Sequence, residues 1–122
     1  MDLLKIWSEF CLSFPGVYRD YPFGEEWTVF RHRGNKKAFA FFYERGGVLR
    51  VNLKCDPFRA DLLRSSFSWV TPGYHMNKTH WNTVCLSDAV GNEDEVRSMI
   101  AHSFSLTAEK KSKKKGEAEV ET

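Results

Sequence analysis

Lys37-Ala38-Phe39-Ala40-Phe41-Phe42-Tyr43-Glu44-Arg45-Gly46-Gly47-Val48-Leu49-Arg50-Val51-Asn52-Leu53-Lys54 decides the fold. From Lys37 to Tyr43 the run reads as a strand. Ala38, Ala40 and Phe42 fall on one side, and Phe39, Phe41 and Tyr43 on the other. Past the two glycines, Leu49, Val51 and Leu53 alternate with Arg50, Asn52 and Lys54. A period of two is that of extended chain. Gly-Gly between two such runs marks a tight hairpin, because the favoured two-residue turn needs positive φ at both positions. One face of the second strand is apolar, and the other carries two cations and an amide. The pair therefore predicts an antiparallel sheet with one face covered and the other open.

Upstream, Leu3, Leu4, Ile6, Trp7, Phe10, Cys11 and Phe14 recur at spacings of three and four, which predicts a helix over residues 2–14. Asp2 is its N-cap, and Pro15-Gly16 stops it. Val17 to Phe23 is a short extended segment. Trp27, Val29 and Arg31 alternate with Thr28, Phe30 and His32 in a second strand, and Gly34-Asn35 marks a hairpin turn. Downstream, Asp56-Pro57 starts a helix running to about Ser66, with Phe58, Leu62, Leu63 and Phe67 expected inward. Val70 to Tyr74 reads as a loop. His75 to Asn82 reads as a tight turn entering a strand, Trp81 to Leu86. A last helix is expected over Asn92 to Ala108, with Val96, Met99, Ile100, Phe104 and Leu106 as its apolar residues. The expected order is helix, four strands, helix, strand, helix, an α+β chain.

At 122 residues the chain has room for one core, placed at residues 1–108. An aromatic content of 15% and 42% hydrophobic residues exclude a chain that is disordered throughout. The charged tail, residues 109–122, lacks aromatics and is expected to be disordered. No apolar run approaches the roughly 20 residues of a membrane span, and the first residues do not resemble a secretory signal. A cytoplasmic protein is expected. Cys11, Cys55 and Cys85 are widely spaced, with no C-x-x-C, and read as reduced thiols packed as small hydrophobes.

Net charge is +2, split evenly between the tail and the rest, so the overall charge does not point to nucleic acid. Any such case rests on placement. Arg31, Arg33, Lys36 and Lys37 surround the Gly34-Asn35 turn, with Arg45 and Arg50 as a smaller group at the second turn. Cations on a hairpin tip can lie along phosphates and displace condensed counterions. The plain alternative is a solvated turn. A second constellation is His75, Asn77, Lys78, His80, Trp81 and Asn82, with Asn52 and Lys54 on a strand that could neighbour it. Such donors could hold a small anionic ligand, or they could lock a turn to the sheet. His-x4-His alone is a weak metal signal, so no metal is assigned. His75 or His80 with Asp56 is conceivable for acid–base work, and Cys55 or Cys85 for nucleophilic work. No phosphate loop, H-E-x-x-H or G-x-S-x-G occurs, so no cofactor is assigned and an enzyme ranks third.

Four stretches carry a family resemblance. They are Phe14-Pro15-Gly16-Val17 with Asp20-Tyr21-Pro22-Phe23-Gly24, then Val51-Asn52-Leu53-Lys54-Cys55-Asp56-Pro57, then Thr71-Pro72-Gly73-Tyr74-His75-Met76-Asn77-Lys78, then His80-Trp81-Asn82-Thr83-Val84. Over residues 2 to about 108 the chain resembles the MmcQ/YjbR family of small bacterial proteins. The resemblance implies a frataxin/CyaY-like fold, and a DNA-binding role through two hairpin "wings". It does not bring iron with it, because the first helix offers only Asp2 and Glu9, separated by Lys5. The leading expectation is a DNA-binding module, monomeric or weakly dimeric. The alternative is a domain for a small anionic ligand or a protein partner, built around the His75–Asn82 turn and Lys54.

Overall fold

The computed structural model describes residues 2–109. The helices are α1 (Leu3–Leu12), α2 (Pro57–Ser66) and α3 (Glu93–Thr107). The strands are β1 (Val17–Asp20), β2 (Trp27–His32), β3 (Ala38–Arg45), β4 (Val48–Lys54), β5 (Val70–Pro72) and β6 (Trp81–Cys85). All six form one antiparallel sheet in the order β1-β2-β3-β4-β6-β5. The chain is α+β, with one strand more than expected. Val70–Pro72 is not a loop but an edge strand on β6. Pro72 closes it, and an edge tolerates a residue that cannot donate to a ladder. Beyond Glu109, the charged tail lies outside the described residues.

Local signals place the ends as the residues suggest. The Asp2 carboxylate accepts from the Lys5 amide at the start of α1, and Asp56 accepts from the Arg59 amide at the start of α2. Gly46 and Gly47 both have positive φ, 63° and 76°, as the two-residue β3–β4 turn demands. Directly paired residues share a face of the sheet. Phe30, Ala40, Phe42, Val51, Leu53 and Val84 face the helices. There they join Trp7 and Cys11 of α1, Ala60 and Leu63 of α2, and Val96, Met99 and Ile100 of α3 in one core.

Two expectations about facing are corrected. In β3 the register slips, so that Phe30 pairs with Ala40 and Arg31 with Ala38, leaving Phe39 as an extra residue. This bulge turns Phe39 away from the side of Phe41 and Tyr43 and into the core. Its ring lies 5.2 Å from Phe104 and 6.1 Å from Phe14. In α2, Phe58 and Leu62 point outward, 84% and 61% exposed. Ala60 and Leu63 take the inward positions because α2 packs over the β5–β6 margin of the sheet. Leu106 of α3 is also exposed, and Ser103 and Thr107 are buried on that helix instead.

Candidate functional site

The face of the sheet away from the helices is not bare. After β5, the chain crosses it as the segment 73–80. The Tyr74 amide donates to Thr83 Oγ1 at 2.9 Å, and Asn52 Nδ2 donates to the Tyr74 carbonyl oxygen at 2.9 Å. Asn52 Oδ1 accepts from the Thr83 hydroxyl at 2.6 Å and from the Tyr43 hydroxyl at 3.0 Å. Asn52 is fully buried in this network. Stacked rings run beside it. Trp27 lies on Tyr43 at 4.3 Å between centroids, Tyr74 on Tyr43 at 5.6 Å, and the Arg45 guanidinium 4.3 Å over Tyr74. His75, held at φ 60°, sets its ring 4.0 Å from that of Tyr74. These rings line a cleft of about 670 Å³ around the Gly46-Gly47 end of the sheet.

Residues 75–82 do not form one cluster. Asn82 pairs with Leu53 and therefore faces the helices, where its Oδ1 accepts from Arg64 Nε at 2.7 Å. Arg64 also donates to the carbonyl oxygens of Lys78 and Trp81. Lys78 Nζ donates to the Gly73 carbonyl, and Asn77 Oδ1 accepts from the Thr79 amide. The His80 carbonyl accepts from the Cys55 amide. Lys54 stands opposite Trp81, at the other end of β4 from the cleft. Of residues 75–82 only His75 lines the cleft. Asp56 bonds neither His75 nor His80. Its amide donates to His102 Nε2.

The cations also separate. β2–β3 and β3–β4 are hairpins made from opposite ends of one strand, so their turns point in opposite directions. Arg31, Arg33, Lys36 and Lys37 are at one end, and Arg45 and Arg50 at the other. Arg31 is engaged: its Nε donates to Asp20 at 2.7 Å and its Nη1 to the Lys36 carbonyl. Arg33, Lys36 and Lys37 are exposed and have no carboxylate within 4 Å among the described residues. Their tip is tied down. His32 Nε2 meets Thr107 Oγ1 at 2.8 Å, and Asn35 Nδ2 donates to the Thr107 carbonyl at 2.9 Å. Burial pushes His32 below its ordinary value of 6.5, against a smaller upward effect from its backbone bond to Phe104.

Burial pushes the Cys11 thiol far up and the Cys55 thiol up as well. All three cysteines are buried and reduced, which places none of them as an exposed nucleophile. Among the described residues no helix is long and apolar enough to cross a membrane. The sequence missed Tyr43, Tyr74, Trp27, Thr83 and Arg64 as site-forming residues. The β2–β3 pairing sets Trp27 on Tyr43, the 73–80 crossing adds Tyr74 and its bonds to Thr83 and Asn52, and Arg64 works on the other face.

The family model of YjbR matches residues 12–106. The uncharacterized protein YbdF of Escherichia coli O157:H7 is 37% identical over 98 residues, 80% of this chain and 78% of that protein. The uncharacterized protein YyaQ of Bacillus subtilis is 33% identical, over 75% of this chain and 86% of its own. A crystal structure of the Deinococcus radiodurans protein DR2400, with a DUF419 domain, superposes with a TM-score of 0.77 at 30% identity, covering 88% of this chain and 79% of that one. A crystal structure of a Pseudomonas syringae protein gives 0.75 at 30% identity, over 88% of this chain and all of that one. The chain belongs to the YjbR family.

Proposed function

We propose that the chain is a small cytoplasmic DNA-binding module that meets duplex phosphates through the tip of the β2–β3 hairpin. The observation that carries this reading is the set Arg33, Lys36 and Lys37, exposed and free of carboxylate partners among the described residues, on a turn anchored to the end of α3. A fixed tip loses little conformational entropy on binding. The Glu109 side chain lies against Gly34 at the tip, so the affinity expected is modest. Arg31 serves the tip by bracing it rather than by contact. Arg45 and Arg50 do not share this surface, so a pair of wings on one DNA segment is not part of the proposal.

Duplex binding should weaken steeply with salt. Replacing Arg33, Lys36 and Lys37 together with Ala should reduce the slope of log K against log[salt] by about 2.7, the release expected from three phosphate contacts. Fluorescence anisotropy with a short labelled duplex over a salt series measures this. No duplex binding at low salt, or the same slope in parent and triple variant, would sink the proposal.

A further inference from the structure

We propose that the open face of the sheet, at its β2–β3 turn end, is a stacking platform for single-stranded nucleic acid. On it Phe41 and Trp81 take bases, and Lys54 and Arg33 take phosphates. The proposal rests on the hairpin tip as a phosphate contact and gives that tip a second class of strand.

Strand register places the residues. Phe41 pairs with Asn52, and Lys54, two residues further along β4, pairs with Trp81. Residues two apart on a strand share a face. Phe41, Lys54 and Trp81 therefore stand together on the side away from the helices. The Phe41 and Trp81 rings meet edge to face, 5.6 Å between centroids, and both are partly exposed. A T-shaped pair leaves flat ring surface for a third partner. Ala38, opposite Arg31, adds only a methyl group between this pair and the tip.

Charge narrows the class of partner. The six strands carry two carboxylates. Glu44 pairs with Leu49 on the helix side, and Asp20 on the open face is held by Arg31 at 2.7 Å. Lys54 is partly exposed and has no carboxylate within 4 Å among the described residues. The Arg33 guanidinium lies 5.6 Å over the ring of Tyr18, which pairs with Arg31 on this same face. A tip cation thus leans over the β1 side of the platform, and Lys54 stands on its β4 side. The two strands are three spacings apart, about 14 Å. An apolar partner would bury these cations without counter-charge, which is costly. A phosphate chain supplies the counter-charge. In a duplex the bases stack on one another and hide their faces, so the rings suit unpaired bases. Aromatic rings beside cations bind single strands with little sequence preference.

The test uses the full chain and fluorescence anisotropy at low salt. The probes are labelled oligo(dT) and oligo(U) of about ten nucleotides and a short labelled duplex. The better of the two single strands should bind at least about fivefold tighter than the duplex, and which one it is names the sugar. Trp81→Leu should lose about tenfold in single-strand affinity, whereas Trp81→Tyr, which keeps a ring, should lose less than about threefold. Lys54→Gln has no side-chain hydrogen bond to lose among the described residues. It should keep the parent's melting temperature and lower the single-strand salt slope by about 0.7, the release from one phosphate contact. Neither Trp81 variant should alter the duplex salt slope. The tip reading fails separately, when the triple change at Arg33, Lys36 and Lys37 leaves the duplex slope as it was. No single-strand binding at low salt, or affinity no better than for the duplex, would overturn the platform. Equal single-strand affinity in parent, Trp81→Leu and Lys54→Gln would overturn it too, as would a loss in Trp81→Tyr as large as in Trp81→Leu.

Discussion

The Asn52 side-chain amide holds the Tyr74 carbonyl oxygen at 2.9 Å, across 22 residues of chain. That bond, with the two that Asn52 Oδ1 accepts, fastens the 73–80 segment to the open face of the sheet. Asn52→Leu should destabilise the protein by about 1–3 kcal/mol, because the Tyr74 carbonyl and the Thr83 and Tyr43 hydroxyls lose a buried partner. Tyr43→Phe should cost less, since Asn52 keeps its bond from Thr83. Urea unfolding with unchanged m-values measures both. Equal stability of Asn52→Leu and parent would show that Asn52 does not hold the segment.

Arg64 should not tolerate a change to lysine. Its planar fork reaches Asn82, Lys78 and Trp81 together, and one ammonium cannot reproduce that geometry. Arg64→Lys is expected to lose about 1–3 kcal/mol and to speed hydrogen exchange at the His80 amide. Arg97, in an exposed i,i+3 pair with Asp94, is the control. Arg97→Lys should stay within about 0.5 kcal/mol of the parent.

Stability should fall as the solution is acidified below about pH 6.5. Burial is the main cause that lowers both His32 and His102 below 6.5. As pH falls, the unfolded chain takes up these protons first, so the unfolded state gains. The stabilisation is therefore complete above 6.5 and shrinks as pH drops toward the folded values. His102 Nε2 accepts from the Asp56 amide, a bond that protonation removes. Melting temperatures at about pH 7.5 and about pH 5.5 should differ, and His102→Gln should narrow the gap. No change in the gap would remove His102 as a contributor.

The inward and outward positions revealed by the bulge and by α2 predict contrasting costs. Phe39→Ala should lose about 3–5 kcal/mol and Leu63→Ala about 2–5 kcal/mol. Phe58→Ser and Leu62→Ser should change stability by less than about 0.5 kcal/mol. A large loss at Phe58 would mean that α2 is turned the other way.

Features set by neighbouring residues were legible in the chain itself. The Gly46-Gly47 turn, the Asp2 and Asp56 caps and the alternation of β4 each depend on a few adjacent positions. Phe39 was not legible, because a bulge is a property of two paired strands and leaves no mark in one of them. α2 was misread because its pattern offers two possible faces. Only contact with the β5–β6 margin chooses Ala60 and Leu63. β5 is three residues long and ends in proline, too short for a period. The aromatic cleft was invisible for a different reason. Its rings come from β2, β3 and the 73–80 segment, and a side-chain bond between Asn52 and the Tyr74 backbone brings them together.

The opposed turns of β3 also set how far one end of the protein can sense the other. Its eight residues, Ala38–Arg45, advance about 3.4 Å each, so the two turns lie roughly 25 Å apart. At physiological salt, mobile ions screen charge over about 8 Å. A change of charge at Lys36 is thus about three screening lengths from Arg45, and the two ends are electrically deaf to each other. Substitutions at the two turns should combine additively in stability.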